Sequence, residues 1–288
     1  MTEHVRADTE ALVIRGADGA GAFGVVVGAA TDVGRLRTVN EDGYLAIAPA
    51  FVVVDGMGGH AAGRMATQVA LDSLYSLAGT TVTGVETVVR SVMAAQEAIV
   101  AIPSHAAYLP GATIAGVVLA WMEDEQGVTR PTWIIFNIGD ARVYLLRDDM
   151  LSQVTRDHSR VQILIETGEL TPEQARRDSR RNIVTRALGG GIADSGVPDL
   201  YSVPVAAGDR LLICSDGLSD ELDDEAIATV LAAGYTAQRT AELLVAASLE
   251  GGGHDNTTAV VVDALQVPDL PPTAHTSHPG GASSQGAQ

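Results

Sequence analysis

Short apolar runs rich in Val, Ile and Ala, each closed by Gly, Pro, Asn or Asp, are interspersed with longer stretches of helical period. Tyr44 to Ala48 and Phe51 to Val54 predict two strands joined at Pro49-Ala50, a tight antiparallel hairpin. Ile114 to Trp121, Trp133 to Ile138, Arg142 to Leu146, Arg210 to Cys214 and Asn256 to Val262 predict further strands. Ala61 to Ala78 predicts a helix whose buried face carries Ala62, Met65, Ala66, Val69, Ser73, Leu74 and Leu77, and Val85 to Ile102 predicts a second of similar length. Two closing helices, Asp224 to Ala232 and Ala237 to Leu249, have Asp223 and Thr236 as N-caps. Strands and helices do not alternate one for one, which argues for antiparallel sheets covered by helices, an α+β fold. No internal repeat is visible. The folded unit is expected over residues 22–265, with a flexible segment at 1–21 and a Pro-, Gly- and Ser-rich tail at 266–288.

With 288 residues, the chain is long enough to bury one large core and nothing in it demands two. Acids outnumber bases 36 to 18, for a net charge of −18, a balance that repels nucleic acid and anionic membrane surfaces. Every base is arginine. The absence of lysine excludes a phosphate-loop lysine, a kinase-type lysine and Schiff-base chemistry. Cys214 is alone, so no internal disulfide forms and a reducing cytoplasm fits. No apolar run approaches the ~18 residues of a membrane span and no basic-then-apolar leader opens the chain, so it reads as soluble; a cytoplasmic location and a monomeric state are the expectations.

Candidate chemistry lies in carboxylates at strand ends. Glu41 and Asp42 precede the first hairpin strand and Asp55 closes the second, so the hairpin brings all three to one end. Asp216 follows the strand ending at Cys214, and Asp255 precedes the one starting at Asn256; an antiparallel pairing would bring these two together as well. Each Asp-Gly taken singly is an ordinary turn dipeptide. Five acids bracketing apolar strands, with Gly56, Gly58 and Gly59 leaving bare backbone beside Asp55, point instead to a binuclear site for hard divalent cations. Paired ions of that kind suit hydrolysis at phosphorus. A cysteine phosphatase needs Arg six positions after its thiolate, where Cys214 has Asp220; the His-containing G-D-x-H-G and G-N-H-E patterns of mixed metallophosphatases are missing.

Six segments then carry a resemblance: R-x-x-N-E-D at Arg37 to Asp42, D-G-M-G-G-H-x-x-G at Asp55 to Gly63, G-A-T at Gly111 to Thr113, I-G-D-A-R at Ile138 to Arg142, S-D-G-L at Ser215 to Leu218 and D-N at Asp255-Asn256. In this order they resemble the bacterial metal-dependent protein phosphatases of the PPM (type 2C) family. The resemblance implies a four-layer α-β-β-α sandwich, two antiparallel sheets flanked by helices, and metal-dependent hydrolysis of phosphoserine and phosphothreonine in proteins. It implies two Mn2+ or Mg2+ ions, with a third, weaker one. Asp55 would bridge the two ions, Gly56 would offer its carbonyl, Asp216 and Asp255 would hold the first ion and Glu41 the second. Asp42 would orient the water, Arg37 would hold the phosphate and His60 would be the general acid, with a structural hydrogen-bonding role as its alternative.

Asp140, a hairpin-turn residue on its local pattern, becomes by resemblance a ligand of the third ion, although Ala141 stands where the family usually has Ser. Asp157 to Arg181 resembles the family's flap, in which Thr171, Pro172 and Gln174 form a capping box. Its arginines read either as a solvated basic face or as a dock for acidic or phosphorylated proteins, a serine/threonine kinase or the targets of kinases that the chain would oppose. Two alternatives stand beside this reading. One is a catalytically weak phosphoprotein-binding pseudo-phosphatase; the other is a stress-pathway phosphatase acting on anti-sigma antagonist proteins.

Overall fold

The computed structural model describes residues 12–15, 22–103, 109–192 and 196–266. Its strands are β1 (Leu12–Arg15), β2 (Ala22–Asp32), β3 (Asp42–Ile47), β4 (Ala50–Met57), β5 (Gly111–Glu123) and β6 (Thr129–Ile138). They continue with β7 (Arg142–Arg147), β8 (Met150–Gln153), β9 (Leu188–Gly189), β10 (Asp199–Pro204), β11 (Arg210–Cys214) and β12 (Thr257–Gln266). The helices are α1 (His60–Leu74), α2 (Val85–Val100), α3 (Arg160–Glu166), α4 (Pro172–Ala175), α5 (Asp216–Ser219), α6 (Asp224–Ala232) and α7 (Ala237–Gly251).

Two antiparallel sheets result. One has the order β10-β6-β5-β4-β3, with β9 added to β5, and the other runs β1-β2-β12-β11-β7-β8. Period-two alternation assigns each strand's two faces. In β4, Val52 and Val54 pack with Leu71 and Leu74 of α1 and Val88 and Val92 of α2, while Phe51 and Val53 meet Ile213 and Val260 of the other sheet. The second sheet repeats the arrangement, with Leu212 and Val261 turned to Leu231 and Leu244 of α6 and α7. Both faces of the central strands are therefore buried, which is why they read as continuous apolar runs. The four layers are helices, sheet, sheet, helices, as the resemblance implied.

Three expectations are corrected. Leu12–Arg15 pairs with Ala22–Val25, so part of the N-terminal segment expected to be flexible adds an edge strand; the rest of 1–21, and the tail beyond Gln266, lie outside the described residues. The buried face of α1 carries Gly63, Ala66, Thr67, Ala70, Leu71 and Leu74, leaving Met65 50% exposed. Thr67 hid that face from a hydropathy count because its hydroxyl is spent on the carbonyl of Glu41, at 2.6 Å. Lastly, Gly139-Asp140 is no hairpin turn. β6 and β7 belong to different sheets, so this turn carries the chain across the sandwich.

Among the described residues no helix is long and apolar enough to cross a membrane. Cys214 is buried in β11, where burial pushes its thiol up to about 12, so it takes no part as a nucleophile near neutral pH.

Candidate active site

The hairpin places Asp42 directly opposite Asp55. Antiparallel pairing of β11 with β12 sets Cys214 against Ala259, bringing Ser215-Asp216 at the end of one strand beside Asp255-Asn256 at the start of the other. Hydrogen bonds then tie the two sheets together. Asp42 Oδ2 accepts from Ser215 Oγ at 2.8 Å and from Thr258 Oγ1 at 2.7 Å. Asn256 accepts the Glu41 N–H at 2.8 Å and donates to the carbonyls of Val33 and Val39, at 2.9 and 3.0 Å. One buried amide thus fixes the loop that carries Arg37 and Glu41. Arg37 reaches across it to Asp255, at 2.6 Å.

Close approach of backbone to backbone sets the position of Glu41 relative to Gly56. A Cβ on Gly63 would lie 2.6 Å from Glu41 Oε1 and 2.9 Å from the Gly56 carbonyl oxygen. Helix α1 can therefore seat against β4 only with glycine there, and two hard oxygens flank the spot a methyl would occupy.

Electrostatics show the same convergence. Burial first, then the charges of Asp42, Asp216, Asp140 and Asp255, push Asp55 well above the usual carboxylate range. Asp216 is raised by burial, then by Asp140, Asp220, Asp255 and Asp42. Asp140 is pushed up to about 7 by burial and by Asp157, and Asp42 to about 6 by burial, against the lowering effect of its two hydroxyl donors. The expected acids are thus assembled from both sheets, although their side chains do not already form a cage. Among the described residues no three carboxylate, imidazole or thiolate groups enclose a single cation-sized centre, and Asp42 and Asp255 are turned onto protein donors. The donor set fits magnesium or manganese on chemistry: oxygen only, anionic, and crowded enough to require positive counter-charge. His60 opens α1, and its side chain lies outside the described residues.

Sequence reasoning missed Asp220. It caps the C-terminal end of α5, one helical turn after Asp216, with its N–H bonded to the Asp216 carbonyl at 2.7 Å, and its charge raises both Asp140 and Asp216. The D-G-L-S-D spacing was the signal available. A cleft of about 810 Å³ runs from Asp140, Asp216 and Asp220 to the flap, where Arg176, Arg177 and Arg181 line it. The capping box at Thr171 is present, with both of its hydrogen bonds. Several arginines in or beside the flap are already engaged: Arg180 with Asp178, Arg181 with Asp220 at 3.3 Å, Arg156 with Glu166.

A sandwich of this topology with acids from both sheets at one end matches solved serine/threonine phosphatases. The crystal structure of Mycobacterium tuberculosis PstP/Ppp superimposes with a TM-score of 0.75 at 36% identity, covering 84% of this chain and 99% of that one. The PstP catalytic domain solved with two manganese ions gives 0.74 at 35% identity, covering 84% and 99%. In sequence, PstP of M. tuberculosis is 37% identical over 242 residues, 82% of this chain and 44% of that protein. The Listeria innocua serine/threonine phosphatase stp is 34% identical over 244 residues, 81% of this chain and 93% of that one. This chain therefore spans less than half of the mycobacterial relative and nearly all of the listerial one. The pattern of the family Protein phosphatase 2C matches residues 36–251. The chain belongs to the protein phosphatase 2C family.

Proposed function

We propose that this chain hydrolyses phosphoserine and phosphothreonine in proteins with two Mn2+ or Mg2+ ions and a third, weaker one, opposing serine/threonine kinases as a cytoplasmic monomer. The observation that carries this reading is the group of repelling carboxylates Asp42, Asp55, Asp140 and Asp216, gathered from both sheets at the end of the sandwich. Asp55, Asp216, Asp255, Glu41 and the Gly56 carbonyl would hold the two main ions, and Asp140 with Asp216 the weaker one. Bound there, the ions supply a water nucleophile at neutral pH and neutralise phosphoryl oxygens. Asp42, held by Ser215 and Thr258, would orient that water, and the half-exposed Arg37, which pairs with Asp255, would bind the phosphate of an incoming side chain. His60 is assigned the proton delivered to the leaving alkoxide.

The charge of −18 supports protein substrates over nucleic acid or anionic membrane. Hydrolysis of a small aryl phosphate, measured with chelator and then across manganese and magnesium titrations, tests the reading. Turnover should vanish with chelator and return with either ion, and a protein inactive at every metal concentration would sink it.

A further inference from the structure

Beside the carboxylates lies a buried histidine that the proposed reaction does not use. His158, 3% exposed, stands where the chain leaves the sandwich for the flap, and it engages both the N–H and the carbonyl of Gly139, the residue just before Asp140. The Gly139 N–H donates to His158 Nδ1 at 3.0 Å, and the His158 N–H donates to the Gly139 carbonyl at 2.8 Å. Gly139 has φ +104°, and a Cβ there would lie 2.3 Å from Thr113 Cβ, so the turn also rests on Thr113, the residue paired with Asp55 across β4 and β5.

His158 also gathers the flap's far end. Its carbonyl accepts the Thr185 N–H at 2.7 Å, and its Nε2 lies 3.2 Å from Asp199 Oδ2. Arg186 in turn bonds Asp199 at 2.6 Å. Nδ1 accepts from Gly139, and Nε2 lies between Asp199 and the Arg186 guanidinium, whose Nη1 is 2.9 Å away; burial, then the Arg186 cation, lower the ring's pKa against the raising effect of Asp199. Entry of the flap, exit of the flap and the sheet-crossing turn thus meet at one residue, through its backbone and its ring together.

We propose that His158 is a positioning residue: by clamping the Gly139 peptide it fixes the Asp140 carboxylate against Asp216 and couples it to both ends of the flap. The inference rests on the proposed phosphatase reading for its effect on turnover, though the clamp itself is independent of it. Asparagine places its side-chain oxygen near the Nδ1 position and keeps the Gly139 bond, whereas glutamine reaches only the Nε2 position.

The test compares His158→Asn and His158→Gln in parent and Asp140→Ala backgrounds. Its readouts are Gly139 amide hydrogen exchange with chelator present and aryl phosphate kinetics with manganese. His158→Gln should lower kcat by about 10–100-fold with KM within about twofold, the loss typical of a partner that orients a working carboxylate. Gly139 exchange should speed up in step, and His158→Asn should restore most of both. In the Asp140→Ala background His158→Gln should cost nothing further. The proposal is overturned if a folded His158→Gln protein matches the parent in exchange and kcat, if Asn and Gln behave alike, or if the loss is undiminished without Asp140. Should the parent itself lack metal-dependent turnover, the phosphatase reading fails, while the exchange of Gly139 still decides whether the clamp exists.

Discussion

Asp42 and Asp55 stand directly opposite each other across β3 and β4, two carboxylates in a position where strands ordinarily pair unlike or apolar side chains. The fold thereby keeps a repulsion that Asp216, Asp140 and Asp255 enlarge. Its removal should stabilise the protein and abolish the work done there.

Asp55→Asn should lower aryl phosphate turnover by more than the ~100-fold seen when outer partners of a metal site are lost. In chelator the same variant should melt higher, by about 2–4 °C for each kcal/mol of repulsion relieved in a chain of this size. Near-parent turnover would remove Asp55 from the centre of the site.

Stability with chelator should fall as pH rises. Asp42 and Asp140 are raised from 3.8 to about 6 and about 7 in the folded protein, so their contribution is full below pH 3.8 and is lost as pH climbs through those values. The exposed Glu166 and the half-buried Asp178 are lowered by Arg156 and Arg180 and act with the opposite sign, at more acid pH. Melting curves from about pH 5 to about pH 8 should therefore slope downward in chelator and flatten or reverse with manganese. An upward slope in chelator would contradict the charge cluster.

Gly63→Ala should be destabilising, although alanine in a helix ordinarily gains up to about 1 kcal/mol over glycine. The added methyl would meet Glu41 Oε1 and the Gly56 carbonyl at 2.6 and 2.9 Å. Calorimetry should find manganese binding weakened along with turnover, and a more stable, fully active variant would show that α1 can slide.

Arg37→Lys should raise KM for aryl phosphate by about tenfold or more with a smaller change in kcat, because a point charge replaces a two-pronged donor. An unchanged KM would leave Arg37 as a partner of Asp255 alone.

On the flap, Arg177 has no side-chain hydrogen bond or ion pair among the described residues, whereas Arg180 and Arg181 are tied to Asp178 and Asp220. Arg177→Ser should therefore lower efficiency on an acidic phosphoprotein, with a deficit that shrinks in salt and no effect on aryl phosphate. Equal loss on both substrates would end the docking idea.

What the chain disclosed beforehand follows from where its physics is local. Strand positions, the antiparallel hairpin and the caps at Thr171, Asp223 and Thr236 all rest on neighbours in sequence, and each is present. The buried face of α1 was misread because Thr67 and Gly63 count as polar or neutral, yet one bonds Glu41 and the other makes room for it. The Gly139-Asp140 turn looked like a hairpin because sheet membership is set by pairings far along the chain. Asp157 and His158 gain their meaning only when the flap folds back on the sheets, a long-range fact that no window of sequence contains, whereas Asp220 was signalled only by its spacing from Asp216.

The hydroxyls of Ser215 and Thr258 reach Asp42 across 173 and 216 residues, and the Asn256 amide reaches Glu41 across 215. Such contacts cost loop-closure entropy that local pairing does not repay, so they form late and slow the search for the native state. A half-folded chain, with either sheet built and the other still loose, would hold only a fragment of the carboxylate set. Ions that need acids from both sheets would then act chiefly on the rate of unfolding, binding after the rate-limiting step and locking the two halves together once they have met.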